Sequence, residues 1–267
     1  MGAPIDPADP QELFELLRRH RITLKRRFGQ NFLIDAALRD AIAQGAEATP
    51  DDTVVEVGAG VGTLTTALAA RAGRVIAVEF DRDLIPALRE VVSGLHNVEV
   101  VQADILRIDA RGEIIAGNIP YNLTGALIEK LLDKPPRPRR ISLVVQKEVA
   151  NRWTASKATS LATVAVQVFA EARTLFTIPA SAFEPPPRVD SALVVLDVRA
   201  QPAVDVDDYH AFFRFVEAVF QFRRKQLGGT LKRLGHGSAQ EVGIDLTRRP
   251  ETLSLQEWET LYRAVKS

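Results

Sequence analysis

One short stretch, Asn118-Ile119-Pro120-Tyr121, flanked by Gly117 and by Asn122-Leu123-Thr124, carries groups suited to an exocyclic amine. An apolar run (Ile114, Ile115, Ala116) precedes it and a helical pattern (Ala126, Leu127, Leu131, Leu132) follows, which puts it on a tight turn at the carboxyl end of a strand. In an open α/β sheet, ligands bind at that end. The Asn side chain and the carbonyls around the proline accept hydrogen bonds from an amine, and a tyrosine ring stacks on a base taken out of its helix. Asn, Pro and Tyr are also ordinary residues of a strand-to-helix turn, so the stretch alone fits both readings.

The elements that position this turn are legible upstream. Thr53-Val54-Val55-Glu56-Val57 reads as a buried strand, followed at once by Gly58-Ala59-Gly60-Val61-Gly62 and a helix with Leu64, Leu68 and Ala69. Glycines there let a cofactor approach the backbone closely. A second strand over residues 74–78 ends in Glu79, 21 positions past Gly58, the spacing at which an acid accepts hydrogen bonds from ribose hydroxyls. The third strand, residues 98–102, ends in Ala103-Asp104; that acid can take an adenine amino group or act as a turn or helix cap. The loop spacing is G-x-G-x-G with Glu56 two positions before it. A carboxylate beside the loop repels a pyrophosphate and suits a cationic ligand, which favours S-adenosyl-L-methionine over a dinucleotide. If the sheet is parallel, four consecutive strands end in ligand-competent residues on one edge.

Upstream of that sheet, residues 9–20 place Leu13, Phe14, Leu16 and Leu17 at helical spacing. KRRFGQNFLID follows and leads into a helix over residues 36–44. This segment fits a connecting loop, or a lid whose Gln30 and Asn31 face a ligand pocket.

The 267 residues, 46% hydrophobic and 25% charged, suit a soluble protein with one large and one small domain. No apolar run is long enough to span a membrane. The amino terminus is acidic and Pro-rich, which does not fit a secretory signal. Cysteine is absent, so disulfides, thiolate metal sites and cysteine nucleophiles are excluded, no metal is expected, and a cytoplasmic location is the simplest reading. Net charge is zero, but basic residues cluster: Arg18, Arg19, Arg21, Lys25, Arg26 and Arg27 without an intervening acid; Arg137, Arg139 and Arg140; Arg223, Arg224 and Lys225; Lys232 and Arg233. Any one cluster fits a solvated face, and several together fit a phosphate-binding surface.

KRRFGQNFLID, VVEVGAGVGTLT, VIAVEFDRDL, QADIL, GNIPYNLT, LVVQKEVANRW and FEPPPRVDSALVVL, with FQFRRKQLGGTLKRL further on, resemble in order and spacing the ribosomal RNA adenine dimethyltransferase family of the bacterial small-subunit type. The resemblance implies a Rossmann-like class I S-adenosylmethionine-dependent α/β methyltransferase sheet with a small C-terminal helical domain. It implies catalysis over residues 1–200, with a basic lid segment over 1–48, and RNA binding over 201–267. The implied reaction is dimethylation at N6 of two adjacent adenosines in the 3′-terminal hairpin loop of 16S rRNA, in a small-subunit precursor particle, by a monomer. Cofactor contacts are implied at Asn31, Leu33, Gly58, Gly60, Glu79, Asp104 and Asn118, and catalysis at Asn118 and Pro120, with Tyr121 stacking on the target base and Phe183 as a second aromatic wall. Arg26, Arg27, Arg223, Arg224 and Lys225 are the implied RNA contacts. The chain departs from this branch in reading Asn-Ile-Pro-Tyr rather than Asn-Leu-Pro-Tyr, the Ile form being known in large-subunit methylases, and in lacking a Gly-Arg-Leu run over residues 155–161.

Further along, residues 141–145 read as a fifth strand, residues 161–169 fit a helix or a strand, and residues 192–198 form the last strand. After a linker over 201–205, Phe212, Phe213, Val216, Val219 and Phe220 form an apolar stripe better suited to a core than to base stacking, and residues 253–265 close the chain as a helix containing Trp258. Three alternatives stand beside the small-subunit enzyme: a 23S rRNA adenine methylase, a non-catalytic RNA-binding assembly factor on the same fold, and a nicotinamide dehydrogenase.

Overall fold

The computed structural model describes residues 5–25, 29–109, 112–236 and 243–266. The chain divides into two compact units, one of residues 1–150 with 173–198 and one of residues 151–172 with 199–267. This differs from a single boundary after residue 200: the 151–172 segment groups with the tail because its helix packs on tail helices.

In the first unit, α1 (Pro10–Arg19) is capped by Asp9, whose carboxylate accepts from the Gln11 and Glu12 amides, with Pro10 in the first turn. Leu13, Leu16 and Leu17 are buried, whereas Phe14, expected with them, is 51% exposed. At 3.6 residues per turn it points about 100° away from Leu13. The two-residue strand β1 (Phe32–Leu33) leads to α2 (Ala36–Gly45), capped by Asp35.

The sheet then forms from β2 (Thr53–Val57), β3 (Arg74–Glu79), β4 (Val98–Gln102), β5 (Ile114–Asn118), β6 (Arg140–Gln146), β7 (Ala170–Ile178) and β9 (Ser191–Val198). Its order is β4-β3-β2-β5-β6-β9-β7. The first five strands are parallel, and β9 runs antiparallel to β6. Near-continuous burial along β2, β5 and β6 is the signature of strands covered on both faces. The helices α3 (Thr63–Ala69), α4 (Ile85–Val91) and α5 (Thr124–Asp133) are the crossovers. From β2 the chain winds outward through β3 to β4, then returns to the other side of β2 with β5, so the carboxyl ends of β2 and β5 flank the switch point where a ligand crevice opens. β8 (Phe183–Glu184) pairs antiparallel with β1, Phe32 opposite Glu184 and Leu33 opposite Phe183.

No sequence signal foretold β7. Its residues Glu171 to Thr177 are mostly exposed or half-exposed, as an edge strand permits.

In the second unit residues 161–169 form a helix, α7 (Leu161–Phe169), with Ser160 as N-cap. α6 (Lys147–Trp153) leads into this unit, which continues with α8 (Tyr209–Phe220), α9 (Leu227–Arg233) and α10 (Leu255–Lys266). Ser254 and Glu257 start α10 with a capping box: the Ser254 hydroxyl accepts from the Glu257 amide at 3.2 Å and the Glu257 carboxylate from the Ser254 amide at 2.7 Å. The stripe on α8 is core: Phe212, Phe215, Val216 and Val219 are buried with Trp258 and Leu261, and Phe213 meets Phe169 at 5.7 Å between ring centres.

Candidate active site

The carboxyl ends of β2 to β5 surround a cavity of about 290 Å³. Asn31 and Leu33 at β1, Gly58 and Gly60 from the loop after β2, Glu79 at the end of β3, Asp104 after β4, Asn118 at the end of β5 and Pro120 just past it all line it. Gly58, Gly60 and Gly62 hold φ of +72°, +61° and +97°, a region that favours glycine, and a Cβ on Gly58 would lie 3.6 Å from the Asn118 carbonyl oxygen. The loop and the turn after β5 are therefore within van der Waals reach of each other, and it is the positive φ rather than lack of space that calls for glycine at position 58.

Glu79 is buried at the cavity wall. Its Oε2 accepts from the Gly60 amide at 2.8 Å and its Oε1 from the Asp81 amide at 2.7 Å. Burial pushes the Glu79 carboxyl above its usual range, and these amide donors offset part of that rise. The Phe80 amide contributes as well; a carboxylate has about four acceptor positions, so three amides leave one for a ligand hydroxyl. Glu56, 1% exposed, accepts from the Thr65 hydroxyl at 2.5 Å. Burial, with the nearby Glu79 charge, pushes its carboxyl up to about 8. Asp104 performs its turn role, accepting from the Leu106 amide at 3.0 Å, and lines the cavity as well.

Asn118 is oriented by the residue before β1: its Nδ2 donates to the Asn31 carbonyl at 3.0 Å. With the nitrogen so committed, Oδ1 is the group available to accept from an amine. Sequence reasoning singled out Gln30 as pocket-facing but missed its anchor, Asp81. Asp81 accepts from Gln30 Nε2 at 2.8 Å and from Lys25 Nζ at 2.6 Å. Burial works against its charged form, yet the Lys25, Asp83 and Gln30 donors together hold its carboxyl below the usual range. The available signal was the i, i+2 spacing of Glu79 and Asp81, which puts both acids on one side of an extended segment. Phe80 between them is 57% exposed and also lines the cavity.

Two expected residues are not cavity walls. Tyr121 is half-buried beside Pro120, with its hydroxyl 2.7 Å from that of Ser191, and burial raises its phenol pKa. Phe183 requires a correction: it is 1% exposed and belongs to the core with Leu33, Ile178 and Leu193, so it offers no face to a base. Its place opposite Leu33 in the β1–β8 pair carries the ring inward. Arg26 and Arg27 lie outside the described residues. Arg223, Arg224 and Lys225 follow α8 in the second unit and are exposed.

The cavity walls include Glu56, Glu79, Asp81 and Asp104 and, among the described residues, no Lys, Arg or His. Asp81 and Asp104 are paired with Lys25 and Arg107, which lie outside the wall; carboxyl groups with no cation at the wall itself disfavour a pyrophosphate and fit a ligand that carries no phosphate. The sheet topology and this cavity define a class I methyltransferase whose methyl donor is S-adenosyl-L-methionine. Residues 21–266 match the family described as ribosomal RNA adenine dimethylase; the chain belongs to that family. It is 44% identical to "Ribosomal RNA small subunit methyltransferase A" of Pelotomaculum thermopropionicum, over 95% of each chain, and 37% identical to the protein of that name from Moorella thermoacetica, over 97% of this chain and 98% of the other. Among solved structures it is similar to the 23S rRNA methyltransferase ErmE, with TM-score 0.71 and 30% identity over 89% of this chain and all of that one. It shares its fold with a dimethyladenosine transferase from Plasmodium falciparum, TM-score 0.72 at 24% identity, over 86% of this chain and 95% of that one. Among the described residues no helix is long and apolar enough to cross a membrane.

Proposed function

We propose that this protein dimethylates N6 of two adjacent adenosines in the 3′-terminal hairpin loop of 16S rRNA, acting as a cytoplasmic monomer on a small-subunit precursor particle. The observation that carries the reading is the fixed Asn118 amide at the wall of a carboxylate-lined cavity. The small-subunit assignment rests on relatives of that name at 34–44% identity across nearly the whole chain.

The bound cofactor supplies a methyl group already activated by its sulfonium. Glu79 accepts ribose hydroxyls, Asp104 accepts the adenine amino group, and Asn31, Leu33, Gly58 and Gly60 complete the cofactor walls. Asn118 Oδ1 and a backbone carbonyl near Pro120 accept the N6 hydrogens of the target adenine, which favours a tetrahedral nitrogen whose lone pair faces the methyl carbon. The nitrogen then sheds its proton to solvent, so no strong base is required. Alignment of two bound reactants can lower the barrier by roughly 7 to 11 kcal/mol. Tyr121, next to this amine site, stacks on the base. Arg223, Arg224 and Lys225, with Arg26 and Arg27, bind RNA phosphates away from the target.

The test is transfer of labelled methyl to unmethylated small subunits, followed by digestion and mapping. Dimethyladenosine at two adjacent positions of the 3′-terminal hairpin supports the reading. Label only in large-subunit RNA would assign the chain to the 23S type, and no label in either RNA would leave a binding factor.

A further inference from the structure

We propose that Gln30 and Asp81 are positioning residues for methyl transfer, holding the Asn31 carbonyl where it sets the Asn118 amide. The Asn31 carbonyl is the hydrogen-bond partner of Asn118 Nδ2, at 3.0 Å. An asparagine amide can rotate by half a turn and exchange its donor and acceptor ends; a fixed carbonyl opposite Nδ2 opposes that rotation and leaves Oδ1 facing the amine.

The carbonyl is pinned on both sides. Downstream, Phe32 and Leu33 pair with Glu184 and Phe183, and the Ile34 amide donates to the Ala182 carbonyl at 2.9 Å. Upstream, the Gln30 side chain is used at both ends: Nε2 donates to Asp81 Oδ2 at 2.8 Å and Oε1 accepts from the Lys25 amide at 2.8 Å. Asp81 is itself 5% exposed and held by Lys25. Gly29, with φ of +61°, brings the same segment against Pro120, to which a Cβ on it would come within 3.5 Å. The acid two positions past the cofactor acid is thus tied, through Gln30 and one peptide unit, to the group that receives the substrate amine. A segment serving only to cover the cofactor would need neither the Gln30 anchor at both ends nor a bond to Asn118.

The proposal rests on methyl transfer at Asn118, and its test separates the two. The chain has five asparagines, Asn31, Asn97, Asn118, Asn122 and Asn151, so selective 15N labelling gives a side-chain amide spectrum in which Asn118→Asp identifies the Asn118 pair. In Gln30→Ala and Asp81→Ala that pair shifts toward the position of a solvated amide. In turnover on small subunits, Gln30→Ala lowers kcat between about 10- and 100-fold, the cost of misplacing a reacting group. An unmoved Asn118 pair in both alanine variants, or a raised KM for cofactor with unchanged kcat, overturns the proposal and makes the segment a cover alone. Failure of the wild-type protein to methylate any adenosine overturns the reaction instead, while the amide spectrum still decides the hydrogen-bond relay.

Discussion

The Tyr121 and Ser191 hydroxyls lie 2.7 Å apart and join the turn after β5 to the first residue of β9. Ser191 is fully buried, so the tyrosine ring is tethered at its far end to a rigid strand. A base stacking on that ring meets a surface already ordered, at little entropic cost.

Tyr121→Ala should therefore lose stacking worth roughly 1 to 3 kcal/mol in RNA turnover, whereas Tyr121→Phe should keep most of it and lose only the tether. Steady-state kinetics with both variants checks this; equal turnover by Tyr121→Ala and wild type would remove the stacking role.

Glu79→Ala should weaken cofactor binding and also strand the Gly60 and Asp81 amides it now satisfies. An unsatisfied buried donor costs about 1 to 3 kcal/mol, so calorimetric affinity and melting temperature should fall together. Unchanged affinity with lowered stability would assign Glu79 to the scaffold alone.

The buried Glu56 carboxyl predicts a pH dependence. Its folded pKa is raised from 4.5 to about 8, so the folded chain holds this proton where the unfolded chain has lost it, and stability falls as pH rises through that window. Below the window the group is neutral in both states and costs nothing; above it the full burial cost of the charge applies. Glu56→Gln should flatten the decline and melt higher than wild type at the alkaline end. Parallel melting curves for the two proteins across the window would contradict it.

A Cβ on Gly117 would come 2.4 Å from the Val57 carbonyl oxygen, a backbone atom that cannot swing aside. Gly117→Ala should force β5 away from β2 and destabilise the protein by about 1 to 3 kcal/mol, measured by denaturant unfolding.

The exposed Arg223, Arg224 and Lys225 give a salt-dependent prediction. If each neutralises a phosphate, replacing one by alanine should weaken RNA binding without regard to sequence and reduce the slope of log affinity against log salt by about 0.7 to 0.9. An unaltered slope in all three variants would move the RNA surface elsewhere.

The cavity was legible in the sequence because each wall is a local signal at the end of a strand: the glycine loop, Glu79, Asp104 and the Asn118 turn each lie within a few residues of a buried apolar run. Parallel pairing brings such ends to one edge without further information. What escaped depends on pairing across long separations. Phe183 looks like an aromatic wall in its Pro-rich loop, and only its register with Leu33 shows that it faces the core. Asp81 and Gln30 are 51 residues apart and carry no shared pattern. The 151–172 segment joins the tail through contacts of α7 with α8 and α10, which no periodicity within α7 announces.

The order in which the strands are made has its own consequence. β9 lies between β6 and β7, although it is the last of them to be synthesised. While the chain grows, β6 presents a buried-type apolar edge with no neighbour, and β7 has no partner at all until residues 191–198 emerge. Unpaired strand edges of that kind invite intermolecular pairing. Nascent chains stalled or truncated before β9 should therefore be aggregation-prone and depend on chaperones, and the sheet closes only when its central insertion arrives.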